Sequence, residues 1–166
     1  MKKESYLMST ERISARAEIA KNYFTEGYNC TQSVVLAFAD ILPVDKATLL
    51  NLSSPFGGGM GRMREVCGAV SGMLLVEGML LGYSSPADID GKKELYGKVR
   101  GLAEKFSAEN GSIICRELLA GVQHTSGGIP EDRTPEYYKK RPCAELVKIA
   151  AKILAEHLIQ EGIEGV

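Results

Sequence analysis

The sequence predicts an all-α protein, a single-domain bundle of about five to seven helices over residues 1–166. Three observations predict it. Apolar residues recur at offsets of three and four in several segments, as they do along one face of a helix. No stretch alternates apolar and polar residues with β-branched enrichment, so no strand is expected. Caps and stops separate the periodic segments, with no linker and no internal repeat between them.

The first helix is expected to start after Ser9 or Thr10, with Ile13, Ala17, Ala20 and Phe24 on one face and Gly27 as its left-handed stop. Asn29 then caps a second helix that opens at Cys30, carries Val34, Val35 and Phe38, and ends near Pro43. A short third helix follows Asp45 through Leu49, Leu50 and Leu52. Ser53 to Arg62, with Pro55 and four glycines, resists regular structure and leads into an apolar helix from about Val66 to Leu81. Pro86 and Asp88 open the next helix, in which Leu95, Val99, Leu102 and Phe106 repeat at helical spacing before Asn110-Gly111. Ser112 caps a brief helical stretch from Cys115 to Leu119. Gly121 to Thr134 reads as loop, and Tyr137 and Tyr138 as the start of a turn. Pro142 suits the first position of a last helix, which shows Leu146, Ala150, Ile153 and His157 and ends at Gly162.

Composition narrows the function classes. Hydrophobic residues at 45% and charged residues at 25% exclude a disordered chain. Twenty Lys plus Arg against twenty-one Asp plus Glu give a net charge of −1, which argues against a binder of nucleic acid or anionic membrane. The basic start Met1-Lys2-Lys3 has no apolar run behind it, because Ser9, Thr10, Glu11 and Arg12 fall there. Cys67 to Leu81 is interrupted by Ser71 and Glu77 and falls short of the roughly 20 residues of a membrane span, so it reads as a core helix. A cytoplasmic protein with reduced thiols is expected.

Four cysteines, Cys30, Cys67, Cys115 and Cys143, lie 37, 48 and 28 residues apart. None forms a Cys-x-x-Cys pair, and no Cys-x-x-Cys-His sequence offers covalent haem attachment. Each falls at or near a predicted helix start, where free N–H groups and the helix dipole favour a thiolate, the reactive and metal-binding form of cysteine. Against this stands the plainer reading that they are small buried hydrophobes. If they act together, the fold must bring them together.

Gly57-Gly58-Gly59-Met60-Gly61 is neither a dinucleotide fingerprint nor a P-loop, since the spacing and the Lys-Ser or Lys-Thr are missing. Its glycines let the backbone pass close to Cys67, and Gly58 and Gly59 can offer N–H groups to sulfur or an anion. Arg62 and Arg64 add positive charge, so Cys67 is expected to be the most acidic thiol. Ser71, four residues after Cys67, shares its helix face and can hydrogen-bond the sulfur, while Gly68 and Gly72 permit close helix packing. Glu77 is about 15 Å along that helix from Cys67 and is read as facing solvent or pairing with a Lys or Arg. His157 is about 21 Å from Cys143 along its helix and is read as a packing or surface residue. His124 is an outside candidate for a further ligand or proton donor.

Cys30, the run Cys67-Gly68-Ala69-Val70-Ser71-Gly72, Cys115 and Cys143 resemble the C_GCAxxG_C_C family of redox-active proteins. Tyr28-Asn29-Cys30 and Cys115-Arg116-Glu117-Leu118-Leu119 are similar to its flanking blocks, so the likeness covers residues 28–143. The family is similar in turn to the non-haem part of split-Soret cytochromes, whose cysteines are associated with an iron–sulfur centre. The resemblance implies that the four cysteines act jointly. It leaves open thiol–disulfide or electron-transfer chemistry at clustered thiols, an iron–sulfur or less favoured zinc site on the same four cysteines, and a non-redox helical interaction protein. The expected partners are a redox partner protein or a small-molecule oxidant or reductant, with a homodimer as a further candidate.

Overall fold

The computed structural model describes residues 2–166, with side chains from Leu7 onward; Met1 and the side chains of Lys2 to Tyr6 lie outside the described residues. Eight helices occur among them: α1 (Lys2–Thr25), α2 (Cys30–Leu36), α3 (Lys46–Ser53), α4 (Gly68–Leu81), α5 (Ile89–Asn110), α6 (Cys115–Leu118), α7 (Pro135–Lys140) and α8 (Cys143–Gln160). Short 3-10 turns fill Ala39–Ile41 and Ser54–Phe56. The described residues hold no strand, only an isolated antiparallel bridge between Val66 and Ile114.

Helix α8 is the hub, packed against α1, α2, α4 and α5. Its buried residues include Leu146, Val147, Ala150, Ala151, Ile153, Leu154 and Leu158, too many for one stripe and right for a helix covered on several sides. Phe24, Phe38 and Phe106 are fully buried around it, each contributing about 1.5–3 kcal/mol of apolar burial. Helices α2 and α4 meet through glycine. A Cβ on Gly72 would stand 2.8 Å from that of Val34, and one on Gly68 would stand 3.0 Å from that of Cys30. Thr31 closes this contact by donating from Oγ1 to the Gly68 carbonyl at 2.8 Å.

The structure departs from the sequence expectation at several points. Helix α1 begins at Lys2 rather than after Ser9 or Thr10, because Lys2 to Met8 contains no breaker and propagates the helix that those two residues were expected to cap. Helix α2 stops at Leu36, and Leu42 before Pro43 is extended, the conformation that a following proline enforces. Helix α7, expected only as a turn, is capped by Thr134, whose Oγ1 accepts from the Tyr137 amide at 3.2 Å. It brings the count to eight, one above the expected range.

Glu77 is neither solvent-facing nor paired with Lys or Arg. It is fully buried, with Oε2 at 2.9 Å from Nε2 of His157. Its neighbours on α4 say nothing of a partner that arrives from α8, 80 residues on. His157 is itself buried, as a packing role requires.

No helix among the described residues is long and apolar enough to cross a membrane.

Candidate functional site

Each cysteine occupies the cap or first position of a helix. Cys30 opens α2, Cys67 caps α4, Cys115 opens α6 and Cys143 opens α8. Local chemistry fixes the first of these starts. The Asn29 side chain accepts from the Gln32 amide at 2.9 Å while Gln32 Oε1 accepts from the Asn29 amide at 3.1 Å, a reciprocal capping box. The antiparallel bridge fixes two more. The Cys67 amide donates to the Ile113 carbonyl at 2.8 Å, and the Cys115 amide donates to Glu65 at 2.6 Å.

The glycine loop closes over this pair. Five consecutive residues, Gly58 to Arg62, have left-handed φ between 57 and 70°, and Arg64 follows at 61°. Glycine adopts this conformation freely, whereas Met60, Arg62 and Arg64 each strain by about 1 kcal/mol or more. Backbone bonds hold the strained turn, from Arg64 N to Gly58 O at 3.2 Å and from Glu65 N to Gly59 O at 3.1 Å. Gly59 is pressed so near Cys115 that a Cβ there would lie 2.8 Å from the cysteine Cβ. The coiling turns Arg64 toward Cys115 and directs Arg62 to the loop beyond α6.

All four cysteines line one cavity of about 50 Å³, together with Gly58, Gly59, Arg64, Arg133, Tyr137 and Arg141. Of the other residues singled out by sequence, Arg62 and Ser71 do not line it. Arg62 is spent on the loop beyond α6, donating to Gly127 O at 2.7 Å and to Thr125 Oγ1 at 2.7 Å. Ser71 continues α4, its amide bonded to the Cys67 carbonyl at 3.0 Å. His124 lines a separate cleft, with Nδ1 at 2.7 Å from Val122 O.

Two arginines at the cavity escaped the sequence reading. Arg133 stacks its guanidinium 4.5 Å from the Phe24 ring and 4.9 Å from that of Tyr137. Arg141 is buried, lies 4.7 Å from the Tyr137 ring and pairs with Glu131. The only signal for Arg141 was its place two residues before a helix-opening cysteine; Arg133 gave none within its loop. Arg64 reaches from the glycine turn, with Nη1 at 3.8 Å from Cys115 Sγ and Nη2 donating to Thr125 O at 2.9 Å.

These charges sort the thiols. A hydrogen bond from the Cys30 thiol, opposed by burial and aided by Arg141, Arg133 and Arg64, lowers Cys143 to about 7. Cys30 moves the opposite way, held protonated first by that bond and then by burial. Burial pushes Cys67 up to about 12, more than the amides of Ala69 and Val70 recover. Cys115 is raised as well, its burial outweighing Arg64. The expectation that Cys67 is the most acidic thiol is therefore corrected. Its helix cap and glycine loop are present, but the arginines gather at Cys143 and Cys67 lies deep.

All four cysteines are free thiols. They are a soft donor set suited to a metal, yet among the described residues no three His, Cys, Asp or Glu side chains are placed to hold one metal ion.

Comparison with known proteins adds one finding. A family model described as "Putative redox-active protein (C_GCAxxG_C_C)" matches residues 28–157, a span that contains all four cysteines. No curated protein and no solved structure matches the chain.

Proposed function

Because the chain belongs to the C_GCAxxG_C_C family, we propose that its four thiols work as one redox centre for thiol–disulfide exchange, with Cys143 attacking and Cys30 resolving. The convergence of four helix starts on one cavity carries this reading, and the arginines beside Cys143 support its direction. The Cys143 thiolate attacks one sulfur of a substrate disulfide, forming a mixed disulfide and releasing a thiolate. The Cys30 thiol gives up its proton to the departing group and attacks Cys143. The product is a Cys30–Cys143 disulfide and a second substrate thiol, so two electrons pass from the protein to the substrate. Cys67 and Cys115, which burial holds protonated at neutral pH, enter after this first exchange. A cycle that starts from free thiols fits the cytoplasmic setting expected from the sequence.

Reduced protein treated anaerobically with a disulfide should acquire an intramolecular Cys30–Cys143 bond, mapped by mass spectrometry and reversed by a dithiol. If no reversible disulfide forms among the four cysteines, the reading fails.

A second reading uses the same donors. Four sulfurs at one cavity beside three arginines suit an iron–sulfur centre, whose negative charge the guanidiniums would offset. When bound, such a centre would supply one-electron transfer. Zinc is less favoured, since among the described residues no three donors close on a single ion. A stoichiometric visible chromophore after anaerobic reconstitution with iron and sulfide, abolished by Cys67→Ser, would put this reading first.

A further inference from the structure

Beside the thiol cavity lies a larger cleft of about 250 Å³, and Arg64, Arg133, Tyr137 and Arg141 form part of the wall between them. The charged groups lining the cleft are Arg62, Arg64, Arg133 and Arg141 against Glu131 alone. That is four positive charges to one negative, in a chain whose formal net charge is −1. The imbalance is local and concentrated. Glu131 pairs with Arg62, Arg64 and Arg141 at once, so a single carboxylate is divided among three guanidiniums.

A second observation is independent of this count. Arg64 is only 8% exposed, and its Nε is a buried donor without a hydrogen-bond partner. Folded proteins seldom leave such a group unanswered, and it marks Arg64 as a guanidinium whose hydrogen-bonding capacity is not used up within the chain. The left-handed turn of Gly58 to Arg62 also lines the cleft, through Gly58, Gly61 and Arg62, with no side chain at the two glycines to fill it.

We propose that this cleft admits and binds a small disulfide carrying anionic groups, carboxylate or phosphate, and delivers its sulfur to Cys143 in the inner cavity. The proposal rests on the thiol-exchange reading and names its substrate class. Size agrees with a small molecule, since the cleft lies just under the usual 300–1,000 Å³ of ligand pockets. The positive charge of the guanidiniums draws the anionic arms to the rim while the sulfur–sulfur bond reaches inward. Arg62 contributes charge alone, because its donors are spent on the loop. The exchange proceeds with the balance already given. A cleft with a strong excess of one sign raises the encounter rate of an opposite charge, by roughly 10–1,000-fold where the field is focused at low salt.

The test compares three small disulfides of similar build with the reduced full chain: dithiodipropionate (anionic), hydroxyethyl disulfide (neutral) and cystamine (cationic). Rates of Cys143 modification are read by quenched-flow mass spectrometry at one pH, each divided by the rate of the same disulfide with 2-mercaptoethanol. Dithiodipropionate should lead the neutral probe by about tenfold or more and cystamine should trail it, with the spread collapsing in high salt. Gly128 lines the cleft with open space around its missing Cβ and no left-handed φ, so charge can be introduced there without a clash. Gly128→Glu should shrink the anionic-to-neutral ratio and Gly128→Lys should enlarge it. Equal normalised rates for all three probes, with the Cys30–Cys143 bond still forming, would overturn the substrate class and leave the exchange reading intact. Failure of every disulfide to oxidise the protein would instead remove the exchange reading, and this proposal with it.

Discussion

Cys67 and Cys115 are tied together through their backbones, not through their side chains. Each donates its amide into the antiparallel bridge, at 2.8 Å to Ile113 and at 2.6 Å to Glu65. Their proximity is thus set by backbone hydrogen bonds between the two segments.

It follows that Cys67→Ser and Cys115→Ser should each retain the helical circular dichroism of the parent. The amides at both positions should stay among the slow exchangers in hydrogen–deuterium exchange. Fast exchange at either position in the reduced parent would show that the pairing needs a cross-link to hold it.

Reactivity gives the second prediction. Alkylation followed against pH should modify Cys143 first, with a midpoint near pH 7, and Cys67 well behind it, since burial pushes Cys67 up to about 12. Cys30→Ala removes the donor that favours the Cys143 thiolate, so the midpoint should move up and the rate at pH 7 should fall. Stability is a poorer readout. The depressed Cys143 contributes stability that is full above the unfolded value near 9 and lost as pH falls through about 7. The raised Cys67 instead costs stability as pH rises from about 9 toward 12, and the two slopes oppose each other. Cys67 alkylating before Cys143 would reverse the assignment of the attacking sulfur.

The glycine contacts give a third. Gly72 faces Val34 with no room for a Cβ, so Gly72→Leu should overpack the α2–α4 contact and destabilise by roughly 1–3 kcal/mol or more. At Gly59 the left-handed φ of 70° and the nearby Cys115 act together, and Gly59→Ala should both destabilise and disturb Cys115 alkylation. Unchanged denaturation midpoints in both variants would mean that the helices can part at no cost.

What could be read from the sequence were features encoded within a few residues of one another. Asn29 marks one helix start as a cap and Pro142 marks another, so the placement of cysteines at helix starts is legible in the sequence. Features that need two distant segments were not. The bridge spans a single residue pair, too short to leave an alternating pattern. Arg133 acquires meaning only when Phe24 and Tyr137 arrive beside it. Cys67 was misranked for a related reason: caps and glycines are local signals, while the depth of a residue is set by everything packed above it.

The last prediction concerns Glu77 and His157, which the sequence could not pair. They join α4 to α8 at 2.9 Å with the carboxylate fully buried, and Glu77 Oε1 has no partner. Removing one member of a buried pair leaves the other without compensation, at about 3–5 kcal/mol, whereas replacing both by apolar groups can be nearly neutral. Glu77→Ala or His157→Ala alone should therefore lower the urea midpoint sharply, and Glu77→Leu combined with His157→Leu should recover much of the loss. The pair stands about 15 Å along α4 from Cys67, so none of these variants should shift the alkylation midpoint of Cys143. Additive losses in the double variant would mean that the two side chains are not energetically coupled. A shifted Cys143 midpoint would mean that the core pair and the thiol site communicate through α8, the helix that His157 shares with Cys143.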